Sequence, residues 1–482
     1  MGWTTLLTDS CGFADVKPRY VNRSTPMHVD WQDGHNMYRM RALVLFAIIA
    51  NIVLFGGGAV CHAEPVKRIL SNGMVIIVSY EPAARVVALE AFLKVGVWAE
   101  PEDKRGIGLL VSRSLFGSTT NETMQALSRE IERVGGDVRA YWQPDYTHIS
   151  ITTVAEAFDD AAWLLAECIK NAQFEPEVVE RARKEALAEA QAERTVKFRS
   201  TFMALRTLLY PPGHPYARPF SGDPAYLQRA TPQDLQEFHR RYYTPDNLVV
   251  VVVGNVPAER AVAKLTTLFG SWEARSATRR PKLTVAPLRE SVSTVREQAG
   301  NTAYLIAGYP VAGITSPEYP ALMVLDTLLG RGKSSRLFTN LRDAAGIGYE
   351  VGSFYPPLVG GSCLLGFIEI APYRISAAGI PVLIVDDVQK ALVQLMQSVR
   401  TNPPTEQEVE RAKRLLIGSY ALRHQRVRDR AYFLGWYECI GLGYPFDQQF
   451  VERVEAVKRE DVLRVAEKYM RHVAVAVTMP RD

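Results

Sequence analysis

The period of the apolar positions changes along the chain. "MVIIVSYEP" (74–82) and "RVVALEAFLKVG" (85–96) are β-branched runs that follow the turn signal Ser71-Asn72-Gly73, which predicts two strands. "HISITTV" (148–154) alternates as a half-buried strand does. Over 155–171 and from Glu175 to about Lys197 apolar residues return every three or four positions, the spacing of amphipathic helices. The continuous run "NLVVVVVGNV" (247–256) suits a central strand covered on both faces. Strands and helices mix without strict βαβ alternation, which predicts the α+β class.

The pattern occurs twice. "EVVERARKEALAEA" (177–190) returns as "QEVERAKRLLIGSY" (407–420), with Glu180 on Glu410. "ATPQDLQEFHRRYYTPDNLVVVVVG" (230–254) returns as "AVKREDVLRVAEKYMRHVAVAVT" (456–478), with Asp234 on Asp461. Spacings of 230 and 227 residues mean a duplicated domain, since solenoid repeats are far shorter. The expected division is an N-terminal domain over 64–270, a basic, proline-containing linker over 271–291 and a C-terminal domain over 292–482.

Residues 1–63 read differently. Arg39 and Arg41 precede an apolar run from Ala42 to about Phe55, and small residues lead to Cys61-His62-Ala63. That is the layout of a secretory signal cleaved after Ala63, with Met37 or Met40 as the true start, and it predicts a periplasmic protein. An uncleaved membrane anchor is the alternative, because Ala42 to Val60 nearly reaches the length of a span.

Composition narrows the function. With 47% hydrophobic and 22% charged residues the chain is a soluble globular type. A net charge of +4, without a basic patch interleaved with aromatics, excludes dedicated nucleic-acid binding. Of five cysteines, Cys168, Cys363 and Cys439 lie beyond the leader, too few and too scattered for a disulfide framework or a CxxC metal site. His148, His214, His239, His424 and His472 show no helical pairing, so no zinc site is expected in this chain. His148 and His214 read as makers of structural hydrogen bonds.

Four segments in order, "KVGVWAEPEDKRGIG" (94–108), "VGGDVRAYWQPDYTHI" (134–149), "GHPYARPFSGD" (213–223) and "GKSSRLFTNLRDAAGIGYEVGS" (332–353), resemble the insulinase/pitrilysin family of zinc peptidases. The resemblance covers nearly all of residues 66–480. It implies two tandem homologous domains, each a mixed, mainly antiparallel sheet packed with helices, forming half of a clam-like chamber. The family signature is H-x-x-E-H. In "RGIGLLVSRSLFGST" (105–119) its two histidine positions are Leu109 and Arg113, and its glutamate position is Ser112. Glu189 falls at the third-ligand position. One carboxylate cannot hold zinc, and an arginine would put a cation where the metal belongs. Glu189 therefore reads as an exposed residue of a Glu/Arg-rich helix.

In the second copy the resemblance matches Arg342 and Tyr349 to a substrate-binding arginine and tyrosine seven residues apart. Gly346 is expected to end the helix carrying Arg342, and Tyr349 to open the next strand. Guanidinium and phenol are donors suited to a peptide carbonyl whose oxygen gains charge during hydrolysis. Some relatives are heterodimers in which one subunit has the zinc motif and the other the Arg/Tyr pair. The resemblance thus implies a non-zinc subunit of a zinc metallopeptidase, inactive alone, with zinc in a homologous partner and a peptide as substrate. The alternatives are a proteolytically inactive structural or peptide-binding scaffold, and a homodimer that captures extended peptides on "DVRAYWQPDY" (137–146).

Overall fold

The computed structural model describes residues 64–274, 280–376 and 379–481. The expected leader and its expected cleavage after Ala63 lie outside the described residues. Among the described residues no helix is long and apolar enough to cross a membrane.

The first sheet holds β1 (Val66–Ile69), β2 (Val75–Tyr80), β3 (Val86–Leu93), β4 (Asp137–Trp142), β5 (Thr147–Val154) and β6 (Leu248–Gly254), in the order β1-β2-β6-β3-β5-β4. The second holds β7 (Val292–Ala299), β8 (Ala303–Val311), β9 (Glu350–Phe354), β10 (Ser362–Ile370) and β11 (Ala474–Arg481), in the order β9-β10-β8-β11-β7. In each sheet one pair is parallel, β2 with β6 and β7 with β11, and the other neighbours run antiparallel. From β2 onward the second sheet repeats the first strand for strand, so the duplication seen in the sequence is a duplication of topology. The valine run of β6 is buried throughout because both its faces are covered. The edge strand β7 alternates half-buried and exposed residues.

Six helices carry or flank the candidate residues: α1 (Ile107–Ser114), α2 (Pro176–Thr195), α3 (Lys197–Leu209), α4 (Tyr319–Gly330), α5 (Glu406–Arg423) and α6 (Val427–Ile440). The repeated segments form α2 and α5. Pro176 sits in the first turn of α2, where its missing N–H costs nothing. A Thr405/Glu408 capping box opens α5.

The two halves exchange helices. From the first half, α3 lies on β8 and β11 of the second sheet; from the second half, α6 lies on β3 and β6 of the first. Both approaches need a missing side chain. A Cβ on Gly435 of α6 would stand 2.3 Å from the Phe92 ring, and one on Gly308 of β8 would stand 2.8 Å from Leu205 of α3. A second junction is polar and buried. Asp145, in the turn between β4 and β5, accepts from the Tyr216 hydroxyl (2.5 Å) and the Val359 N–H (3.0 Å). Gly360 N–H donates to the Tyr216 oxygen (3.1 Å), and Arg280 of the connecting segment donates to the Asp145 carbonyl (2.7 Å).

Candidate functional site

The helix α1 begins at Gly106, whose φ of +100° suits a glycine that a Cβ would drive against Leu227 and Gly222. Buried Glu100 takes the Gly108 N–H at 3.1 Å, so a carboxyl group caps the helix start. Burial pushes Glu100 up to about 7, against the pull of backbone N–H groups and of Arg218 and Arg105. The helix packs on α2, and residues 109, 112 and 113 share one of its faces.

Leu109 is buried there, and the Ser112 hydroxyl, also buried, turns back to the Leu109 carbonyl at 2.9 Å. Arg113 crosses to α2. Its Nη1 donates to Glu185 Oε2 at 2.8 Å and its Nη2 to Glu189 Oε2. The two glutamates lie one turn apart on the same side of α2, so one guanidinium bridges both.

This corrects the expectation for Glu189. Its side chain is only 9% exposed, and it is ion-paired to Arg113 at the helix interface. The residues do not fit a metal: an alkyl group and a guanidinium occupy the two histidine positions, and the remaining carboxylate is already engaged. Among the described residues, no group of three or more His, Cys, Asp or Glu side chains could hold a metal ion.

The histidines have other partners. His148 faces Glu90 across the first sheet, and His214 Nδ1 accepts from the Tyr216 N–H at 3.1 Å. His239 bonds the Ile169 carbonyl at 2.9 Å, and burial lowers it to about 4. Among the described residues, Cys168, Cys363 and Cys439 are buried and unbridged.

The second half brings Arg342 and Tyr349 together. The helix expected to carry Arg342 is present over Phe338–Ala344 and is π-helical. After it Gly346 and Gly348 take φ of +64° and +97°, the left-handed region that permits a tight exit. Ile347 N–H bonds the Leu341 carbonyl (2.8 Å) and Tyr349 N–H the Glu369 carbonyl of β10 (2.8 Å), which docks the segment on the sheet. Arg342 Nη1 then donates to the Tyr349 carbonyl at 2.9 Å. Arg342 is exposed and the Tyr349 residue is 61% exposed, so both present their side chains at the rim of the second sheet.

Supports behind this rim went unrecognised in the sequence. Arg336 makes a two-pronged ion pair with Glu408 of α5, at 2.9 and 3.1 Å. Buried Asp326 of α4 takes Arg331 Nε and the Ser353 hydroxyl, both at 2.6 Å, and so fixes the loop before the π-turn. Signals existed: Arg336 lies within "GKSSR", and Thr405-x-x-Glu408 is a capping-box pattern. Glu185 was also missed, although it stands four residues before Glu189 on a helix.

Chemically the halves differ. The first presents no base at position 112 and no metal ligand set, only a satisfied ion pair. The second presents two outward donors, which can bind a carbonyl or carboxylate oxygen.

Comparisons with known proteins place this pattern. Residues 75–210 match the model described as "Insulinase (Peptidase family M16)", and residues 229–416 match "Peptidase M16 inactive domain". Zinc protease PqqE of Helicobacter pylori is 26% identical over 445 residues, covering 88% of this chain and 95% of the relative. An uncharacterized zinc protease of Mycobacterium bovis is 27% identical over 426 residues, covering 86% and 93%. The crystal structure of a protease from Helicobacter pylori superposes with a TM-score of 0.78 at 22% identity, covering 87% of this chain and all of that one. A peptidase M16 inactive domain from Pseudomonas fluorescens gives 0.77 at 19% identity, covering 87% and 98%. The duplicated sheets and these matches together make the chain a member of the insulinase (M16) peptidase family.

Proposed function

We propose that this chain is the non-zinc subunit of a two-subunit zinc peptidase in the periplasm. It pairs with a homologous subunit that carries an intact zinc motif, and it lends Arg342 and Tyr349 to that subunit's site. The supporting observation is the asymmetry between its halves. The ligand positions of the first are closed by Leu109 and by the Arg113–Glu189 pair, while the Arg342 and Tyr349 side chains of the second stand outward. Zinc in the partner supplies the Lewis acid. The guanidinium and phenol of this chain orient the peptide and donate to its carbonyl oxygen as charge develops there. The chain alone is then inactive, and it belongs with a partner in a chamber that admits peptides.

The test is reconstitution with a purified homologue from the same organism that has an intact H-x-x-E-H. Arg342→Ala and Tyr349→Phe should each lower turnover of the complex by about 10²–10³-fold, the usual cost of removing such a donor. Zinc content and subunit association should stay at wild-type levels. Wild-type turnover in both variants would favour a second reading, an inactive scaffold, which the closed first half supports.

A further inference from the structure

Three helices of the first half, Phe158–Lys170, Pro232–Tyr242 and Ala258–Phe269, end beside a cavity of about 270 Å³. The short antiparallel ladder of Ser118–Thr119 with Ala172–Gln173 borders it. None of its lining residues belongs to α1, to α2 or to the Arg342 rim. The walls are held in place. Lys170 Nζ donates to the Leu268 carbonyl at 2.7 Å, and the Asn72 amide donates to the carbonyls of Phe269 (2.8 Å) and Trp272 (3.0 Å). The Leu268 and Phe269 carbonyls are helix-end groups that would otherwise lack donors.

The cavity carries both signs of charge. Lys170, Arg240 and Glu273 line it, and none of them is in an ion pair among the described residues. His239 and Thr244 are buried in its wall. His239 Nε2 bonds the Ile169 carbonyl, and a carbonyl only accepts, so the ring proton sits on Nε2. Burial lowers this ring to about 4, so at neutral pH Nδ1 is a lone-pair acceptor. Thr244 is 2% exposed, and its hydroxyl has no partner among the described residues. A buried hydroxyl without a partner is rare and calls for a group that completes it. Trp272 adds an aromatic surface.

This inventory selects a ligand. A simple anion would satisfy Lys170, Arg240 and Thr244 but set its charge against Glu273. A simple cation would meet Glu273 and His239 but oppose Lys170 and Arg240. A molecule with both a carboxylate and an ammonium group meets both sets. A cavity below the roughly 300–1,000 Å³ of drug-sized sites limits that molecule to one or two residues. We infer that the cavity binds a free amino acid or dipeptide, with its carboxylate on Lys170, Arg240 and the Thr244 hydroxyl, its ammonium on Glu273 and His239, and its side chain against Trp272. Molecules of this class are end products of peptide hydrolysis, which fits a peptidase-family protein. The inference does not depend on the subunit reading.

The test is calorimetric titration of the full chain with alanyl-alanine, its N-acetyl form and its C-terminal amide. The free dipeptide should bind. Each blocked form lacks one charge and should bind at least about tenfold more weakly, the usual weight of a charged hydrogen bond. Arg240→Gln removes an exposed charge, and Thr244→Val keeps the shape and loses only the hydroxyl. Both variants should melt like wild type or, for valine, slightly higher. Each should weaken alanyl-alanine binding about tenfold. No binding at several-millimolar dipeptide, equal binding of the blocked forms, or equal binding of inorganic phosphate overturns the inference. Affinity untouched by both variants overturns it too. Affinity lost in Arg342→Ala but kept in Arg240→Gln puts the dipeptide at the rim of the second sheet, which overturns the cavity and leaves the subunit reading as it was.

Discussion

The guanidinium of Arg113 lies against the carboxylate of Glu189 and bridges α1 and α2. A fixed cation from the chain itself thus meets the carboxylate that would otherwise need a bound one. The charge balance of this helix interface is internal.

Breaking that pair should destabilise the fold. Arg113→Ala leaves Glu189 nearly buried without a counter-charge. The expected loss is about 1–3 kcal/mol, below the value for a fully buried pair because Arg113 is 27% exposed. Adding Glu189→Gln to that variant should recover part of the loss. Urea melts of the two single variants, the double variant and wild type measure the coupling, and additivity would show that the pair contributes nothing.

Restoring the motif should restore metal. The wild-type chain is expected to bind no stoichiometric zinc. Leu109→His, Ser112→Glu and Arg113→His together would offer two imidazoles on one face of α1 opposite Glu189, the three-ligand set of a catalytic zinc site. Elemental analysis after dialysis should then find about one zinc per chain. Zinc retained by wild type, or none by the triple variant, contradicts the placement of these residues.

Glu100 predicts a pH dependence. Burial raises its carboxyl from 4.5 to about 7 in the folded protein. A raised carboxyl favours the folded state when protonated. Its contribution is fully present below about 4.5 and is lost as pH rises through 7, by up to about 3 kcal/mol. Glu100→Gln keeps an acceptor for the Gly108 N–H and cannot ionise. Its stability relative to wild type should therefore rise between pH 4.5 and 7.5, as read by denaturant melts at several pH values. A parallel pair of curves would refute this.

Two glycines should respond oppositely to alanine. At Gly435 the new Cβ would stand 2.3 Å from Phe92, and overpacking there should cost about 1–3 kcal/mol. At Gly418, within α5, nothing lies within 4 Å of the same atom, and helix propensity should add up to about 1 kcal/mol. Melting temperatures of the two variants should move in opposite directions.

Much of the fold was legible in the chain. The valine run of β6 and the returns of α2 in α5 and of β6 in β11 can be read directly, because periodicity and repetition are local or simply shifted signals. What was hidden is relational. An apolar stripe says that a helix is covered, not by which sheet, so the exchange of α3 and α6 left no trace. The partner of Glu189 lies 76 residues away, and nothing in a Glu/Arg-rich helix singles it out. Arg342 bonds a backbone carbonyl, which every residue has. The π-turn has no compositional mark to separate it from an α-helix.

Helix exchange has a consequence for how the protein is made. During synthesis β6 is complete at Gly254, but the helix that covers it and β3 ends at Ile440. At usual rates of elongation the valine face of the first sheet waits about 10–40 s for its cover. The nascent N-terminal half is thus a sticky, unfinished body that needs shelter from its own kind. A fragment ending near residue 270 should aggregate, and co-expression with the remaining chain should rescue it.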